Sequence, residues 1–157
     1  MNDTDKDRRS LLAIDFGERR IGIATGSCIT GTSSALVTLE ANGGEPDWME
    51  FDALMQEWSP DVLVLGLPRN RDGSDSDITA RTRIFAELLG GRYGCSVETI
   101  DERLTSQEAS DILVRQRREG VRQKKLKRGE IDKMAAKLIA DRWLQHNATN
   151  KNLKKSE

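Results

Sequence analysis

The sequence predicts an α/β fold: a mixed five-stranded sheet, with three antiparallel strands followed by two parallel strands, flanked by helices. Short apolar runs of strand length recur along the chain, and the first three follow one another at hairpin spacing. From residue 47 onwards, such runs alternate with stretches whose apolar residues repeat at helical spacing. Strand-helix-strand crossovers make the later strands parallel, and right-handed winding places them beside the first strand.

The predicted strands are apolar runs bounded by turn residues, as expected of strands buried in a sheet. In chain order they cover residues 11–14, 21–24, 35–39, 61–66 and 97–100. The first run ends at Asp15, and the last is followed by Asp101 and Glu102. Acidic residues therefore follow the first and the last strand.

The helices are predicted from apolar residues that recur with a period near 3.6. They cover residues 47–58, 78–89, 105–118 and 129–145. Thr105 or Ser106 can cap the third of these helices. Trp48, Trp58 and Trp143 all lie on predicted helical faces, so we expect them to pack in the core rather than to stack on bases.

Length and composition indicate a single domain that needs no cross-links. A chain of 157 residues with 36% hydrophobic content can bury a core of its own. Cys28, Cys95 and the single histidine, His146, lack the spacing of a zinc site. We expect the domain to span residues 10–146, with a flexible N-terminus over residues 1–9 and a flexible C-terminal tail over residues 147–157.

No stretch of the sequence predicts export or membrane insertion. The first ten residues are polar and charged, without the apolar core of a signal peptide. No run approaches the roughly 20 apolar residues that a membrane-spanning helix needs. We therefore expect a cytoplasmic protein.

The net charge of −1 conceals a basic segment at residues 115–128, which holds eight basic residues and one acidic residue and is surrounded by an acidic remainder. This asymmetry favours a polyanionic partner such as nucleic acid, although a solvated helix end and loop is the alternative. We expect the segment to contact phosphates. Its basic residues are Arg115, Arg117, Arg118, Arg122, Lys124, Lys125, Lys127 and Arg128.

Three acidic residues stand where sites form in open α/β sheets, outside the carboxyl ends of the strands. Asp15 and the adjacent pair Asp101 and Glu102 follow strands, and Asp132 lies in the first turn of the last helix. Taken singly, each could be a turn residue or a favourable helix-end charge. Asp132, however, shares a helical stripe with apolar Ile139 and Trp143, so it should lean toward the sheet.

Carboxylates that converge in this way need a cation. Two charges about 4 Å apart repel by roughly 4 kcal/mol at an effective dielectric constant of 20. Oxygen ligands with no histidine or cysteine beside them favour Mg²⁺ or Mn²⁺, and such ions assist phosphodiester cleavage. The pattern therefore favours a divalent-metal site suited to phosphodiester cleavage, formed by Asp15, Asp132 and one of the adjacent acids Asp101 and Glu102.

Four motifs closely resemble the YqgF/RuvX family across residues 10–146. They are LLAIDFG with RIGIA at residues 11–24, GLP at 66–68, DG at 72–73 and DERLTS at 101–106. The resemblance implies a ribonuclease H-like fold and the activities described for that family, Holliday junction resolution and maturation of the small-subunit ribosomal RNA precursor. It also implies that Asp15, Glu102 and Asp132 take the acidic positions of the active site.

Two details depart from the family pattern or stay open. Lys133 and Met134 stand where the family usually has smaller residues. Adjacent strand residues point to opposite faces, so only one of Asp101 and Glu102 can face the metal. The wider resolvase resemblance selects Glu102, and we expect Arg103 to position the substrate backbone.

Other functions fit less well. Asp15 with the glycines that follow it also resembles the phosphate loop of actin- and hexokinase-like ATPases, which need two domains and a longer chain. Asp15-Phe16-Gly17 lacks the other motifs of a protein kinase. A nucleic-acid-binding factor without cleavage activity is the alternative from a different class.

The sequence also favours structured RNA over branched DNA as the partner, with branched DNA as the second possibility. One basic segment beside one acidic site can hold a single backbone, and the strand ends suit the wide minor groove of an A-form helix. Symmetric junction cleavage needs a two-fold dimer, and the predicted helices show no spare apolar face for one. A monomer and a homodimer both remain compatible with the sequence.

Overall fold

The computed structural model describes residues 9–70, 72–102 and 128–155, with residues 102, 128 and 149–155 described by their backbone alone. The strands are β1 (Ser10–Asp15), β2 (Arg20–Ser27), β3 (Thr32–Asn42), β4 (Glu45–Pro46), β5 (Val62–Pro68) and β6 (Ser96–Glu102). The helices are α1 (Trp48–Trp58), α2 (Asp77–Tyr93) and α3 (Arg128–Lys155). The helix predicted over residues 105–118 lies outside the described residues.

The strands form one sheet in the order β4-β3-β2-β1-β5-β6. Strands β1, β2 and β3 pair antiparallel, whereas β5 is parallel to β1 and β6 is parallel to β5. The predicted fold class and the arrangement of its five strands are thus confirmed. The sixth strand, β4, has two residues and follows Gly43 and Gly44, whose φ angles of 61° and 88° suit a tight hairpin turn.

Each face of the sheet carries its own apolar layer. Leu12 and Ile14 of β1 pack on the side of α1 and α2, while Leu11 and Ala13 pack on the side of α3. Side chains alternate along a strand. Asp15, the next residue of the Leu11 and Ala13 series, therefore lies on the α3 side.

Two of the three helices, α2 and α3, run longer than their periodicity indicates. Helix α2 begins after a capping box formed by Ser76 and Thr79, and it ends at Gly94, whose φ is 65°. Helix α3 was predicted over residues 129–145 and continues to Lys155, because the sequence after Gly129 contains no glycine or proline to end it. No helix in the described part of the chain combines the length and apolarity needed to cross a membrane.

The expectation of core packing is confirmed for two of the three tryptophans. Trp143 is buried in the α3 layer, and Trp48 stacks on Phe85 with ring centroids 6.1 Å apart. Trp58, the last residue of α1, is exposed, so the expectation was wrong for it.

The expectation that no helix carries a spare apolar face was also wrong. Ile84 and Leu88 of α2 are 64% and 47% exposed. They border a cleft of about 220 Å³ whose lining includes Phe16 and Trp48. The buried side of α2 is formed instead by Phe85 and its neighbours, and Ile84 and Leu88 lie outside that buried side.

Candidate active site

Asp15 ends β1, the strand from which the sheet extends to both sides. Strands β2 and β3 lie on one side of β1, and the later strands β5 and β6 lie on its other side. Ligands in open α/β sheets bind outside the carboxyl ends of the strands at such a point. We call the edge at the carboxyl ends of β1, β5 and β6 the carboxyl edge.

A glycine brings α3 to this edge. Gly22 of β2 pairs with Asp15, and a Cβ atom at Gly22 would lie 2.0 Å from the carbonyl oxygen of Asp132. The same atom would lie 2.9 Å from the backbone nitrogen of Lys133. Only glycine therefore allows the first turn of α3 to rest on β2 beside Asp15.

The approach of Asp132 perturbs Asp15. Burial, and secondarily the negative charge of Asp132, raise the pKa of Asp15 from 3.8 to about 7. Among the described residues, no side chain or backbone N–H donates a hydrogen bond to the Asp15 carboxylate. The Asp15 carboxylate is thus costly to ionise near neutral pH, and a nearby cation would lower its pKa.

Asp132 has a partner that the sequence analysis missed. The Nε of Arg20 donates a hydrogen bond to the Oδ2 of Asp132 at 2.8 Å, and both side chains are partly buried. Arg20 begins β2 two residues before Gly22, so strand alternation places both residues on the α3 face. That alternation was the available signal, but it becomes useful only once the helix that covers this face is known.

The structure separates Asp101 from the α3 face. The Oδ1 of Asp101 lies 3.4 Å from the Nε of Arg69, and Asp101 alternates with Val97, which packs in the α1 and α2 layer. Ile100, in contrast, packs against the α3 layer. Backbone alternation therefore places position 102 on the face that Asp15 occupies.

Glu102 ends β6 in register with Pro68 of β5. Its side chain lies outside the described atoms, so the role of Glu102 stays a prediction. In the described residues, no group of three or more His, Cys, Asp or Glu side chains is arranged to hold a metal ion. The described part of the site is the pair formed by Asp15 and Asp132, whose hard oxygen atoms fit Mg²⁺ or Mn²⁺.

Arg69 is a second basic residue at the carboxyl edge that the sequence analysis did not single out. Its Nη1 donates a hydrogen bond to the carbonyl oxygen of Gly73 at 3.3 Å and lies 3.9 Å from the Oδ1 of Asp75. Its Nε is buried without a hydrogen-bond partner in the described part of the chain, despite the nearby charge of Asp101. Arg69 is therefore held beside the strand ends by two carboxylates.

The basic segment precedes α3 in the chain, and most of it lies outside the described residues. Arg128 begins α3, four residues before Asp132, and the carbonyl oxygen of Gly129 accepts a hydrogen bond from the Oγ1 of Thr38 at 2.6 Å. The segment thus leads directly into the turn that carries Asp132. Arg103 lies outside the described residues, and so do the other predicted substrate-binding residues of the segment: Arg115, Arg117, Arg118, Arg122, Lys124, Lys125 and Lys127.

Comparison with known proteins supplies the family. The family model described as "RuvX: Holliday junction resolvase" matches residues 9–146. The chain belongs to the RuvX family. The resemblance that the motifs predicted is therefore confirmed, and so is the enzyme class, a hydrolase that acts on phosphodiester bonds.

Bacterial relatives match over nearly their whole length. A protein of Histophilus somni (strain 2336) is 42% identical over 139 residues, which are 88% of this chain and 96% of that protein. A protein of Pectobacterium atrosepticum is 44% identical over 137 residues, which are 87% of this chain and 96% of that protein. Both relatives are named "Putative pre-16S rRNA nuclease".

Solved structures confirm the fold class. RuvC of T. thermophilus, determined in complex with a Holliday junction substrate, has a TM-score of 0.53 at 11% identity, covering 90% of this chain and 96% of its own. The yeast mitochondrial Holliday junction resolvase Ydc2 has a TM-score of 0.51 at 14% identity, covering 90% of this chain and 80% of its own. The RuvX-family chain therefore has the fold of these resolvases.

Proposed function

We propose that this RuvX-family nuclease is metal-dependent and processes the precursor of small-subunit ribosomal RNA in the cytoplasm. The observation that carries the chemistry is the convergence of Asp15 and Asp132, which Gly22 makes possible. Two partly buried acids at a topological switch point, one with a strongly raised pKa, form a site adapted to a cation rather than a stabilising feature of the fold.

The chain's own residues divide the work. Asp15 and Asp132 would hold the divalent ion together with Glu102, and Arg20 pairs with Asp132. The ion, when bound, supplies positive charge that stabilises the phosphodiester as it is attacked. Arg103 and the basic segment would position the nucleic-acid backbone over the carboxyl edge.

The RNA substrate is supported by the relatives rather than by the geometry. Proteins more than 40% identical over most of this chain carry the name of a pre-16S rRNA nuclease. The wide minor groove of an A-form helix also suits an open row of strand ends. Exposed Ile84 and Leu88 provide apolar surface on α2, so the choice of RNA does not rest on the lack of a dimer face.

A Holliday junction resolvase is the second candidate function. It is favoured by the description of the matching family. A resolvase needs two active sites at a fixed spacing, and the exposed face of α2 gives such an assembly an apolar surface to use.

The test offers both substrates to the purified protein under identical Mn²⁺ and salt conditions. A fragment of precursor small-subunit ribosomal RNA is compared with a synthetic four-way DNA junction, with Asp15→Asn and added EDTA as controls. We expect the RNA to be cut, and cutting to stop in both controls. Paired symmetric nicks in the junction with the RNA left intact would make resolvase the function. Binding of either substrate without any cleavage would make the protein a nucleic-acid-binding factor.

A further inference from the structure

Arg20 places a positive charge on a residue proposed to bind a cation. Its Nε lies 2.8 Å from the Oδ2 of Asp132, within the range of a charge-assisted hydrogen bond. The exposed fractions of the two side chains are 31% and 22%, so water screens the pair less than it would on an open surface. This contact is therefore part of the site and not a chance surface ion pair.

The geometry of the contact sets up a competition. A carboxylate has two oxygen atoms, and Arg20 uses the Oδ2 of Asp132. Asp15, in contrast, receives no hydrogen bond from any described residue. Arginine stays protonated at any accessible pH, so the charge of Arg20 can leave the site only by movement of its side chain.

We propose that Arg20 is the built-in counter-ion of the acidic site: it neutralises Asp132 in the metal-free protein and competes with the divalent cation for that carboxylate. This inference rests on the proposed metal-dependent function. In this role Arg20 is a positioning residue. It keeps the metal-free site stable, and it lowers the affinity for metal because the ion must approach a fixed positive charge.

The test replaces Arg20 by methionine, which keeps the unbranched apolar stem and removes the charge and the donors. The matched control is Arg19→Met, the same change at the preceding, exposed position. A second variant, Arg20→Lys, keeps the charge. Binding of Mn²⁺ to each metal-free protein is measured by calorimetry, and folding is checked by circular dichroism.

We expect Arg20→Met to bind Mn²⁺ roughly tenfold more tightly than the unmodified chain, a size typical of coupling between two ligands. Arg19→Met and Arg20→Lys should stay close to the unmodified protein. If Arg20→Met binds Mn²⁺ no more tightly than the unmodified chain, the proposed competition is wrong. It is also wrong if Arg20→Lys, which keeps the charge, binds Mn²⁺ as tightly as Arg20→Met does. Absence of Mn²⁺ binding in every protein would refute the proposed metal dependence together with this inference, whereas unchanged binding would refute the inference alone.

Melting provides a readout that does not depend on affinity. In EDTA, Arg20→Met should melt below Arg19→Met, because Asp132 loses its counter-ion while it still faces Asp15. Saturating Mn²⁺ should close that gap, since the ion then supplies the missing charge. If the gap persists in Mn²⁺, Arg20 is a structural residue and the proposal fails.

Discussion

Asp15→Asn should stabilise the metal-free protein while it removes metal binding. The pKa of Asp15 rises from 3.8 to about 7 in the folded chain. Each pKa unit corresponds to about 1.4 kcal/mol, so full ionisation of Asp15 costs the fold about 4 kcal/mol. An asparagine amide avoids this cost but leaves buried polar atoms without partners, which costs about 1–3 kcal/mol. We expect a net gain of about 2 kcal/mol, or roughly 4–8 °C in melting temperature.

The pH dependence of melting tests the reasoning directly. Because the folded pKa is raised, the stability that protonated Asp15 contributes is complete below pH 3.8 and is lost as the pH rises to about 7. In EDTA, the advantage of Asp15→Asn should therefore be largest at about pH 8, and at about pH 4 the variant should melt below the unmodified protein, because only the cost of the buried amide is left. Mn²⁺ should reverse the order at about pH 8, because only the unmodified protein gains binding energy. A variant that melts below the unmodified protein in EDTA at about pH 8 would refute the argument.

Two further predictions concern the approach of α3 and the basic segment. Gly22→Ala should destabilise the protein by about 1–3 kcal/mol and weaken Mn²⁺ binding, because its Cβ would meet the backbone of Asp132. The control Gly91→Ala, in open space on α2, should stabilise the protein slightly. Equal effects of the two substitutions in thermal melts would contradict the close contact. Neutralising four basic residues should flatten the slope of log K for duplex binding, where K is the association constant, against log salt concentration. The expected change is about 0.9 per phosphate contact, roughly 3.6 in all. An unchanged slope would mean that the segment is only a solvated surface. The four residues are Lys124, Lys125, Lys127 and Arg128.

Those parts of the fold that depend on local pattern were predictable. The strand over residues 11–14 needs only its apolar run, and the crossover rule then fixes its neighbours, as the order β2-β1-β5 shows. Strand β4 was not predictable, because its two residues form a strand only through the Gly43–Gly44 turn. The exposure of Ile84 and Leu88 was also hidden, because periodicity identifies apolar stripes but does not show which stripe another element covers.

In the site too, the features that depend on local pattern were predictable and the long-range contacts were not. The stripe shared by Asp132, Ile139 and Trp143 predicted that the acid leans inward, and in the structure both apolar residues are buried on the α3 side of the sheet. The ion pair of Arg20 with Asp132 joins residues 112 positions apart in the chain. Such a contact depends on how closely α3 approaches β2, which Gly22 determines. No local pattern contains that distance.

The two faces of the carboxyl edge differ in how their acidic side chains are paired. On the α1 and α2 side, Asp101 lies beside Arg69 and Asp75 pairs with both Arg69 and Arg83, so two acids face two arginines. On the α3 side, the Asp15 carboxylate has no described donor, and Asp132 has Arg20 alone. An acid whose ionisation is opposed by burial, as at Asp15, gains a great deal from a nearby cation. We therefore expect the proposed cation on the face where strand alternation places position 102, and Asp101 lies on the opposite face beside Arg69.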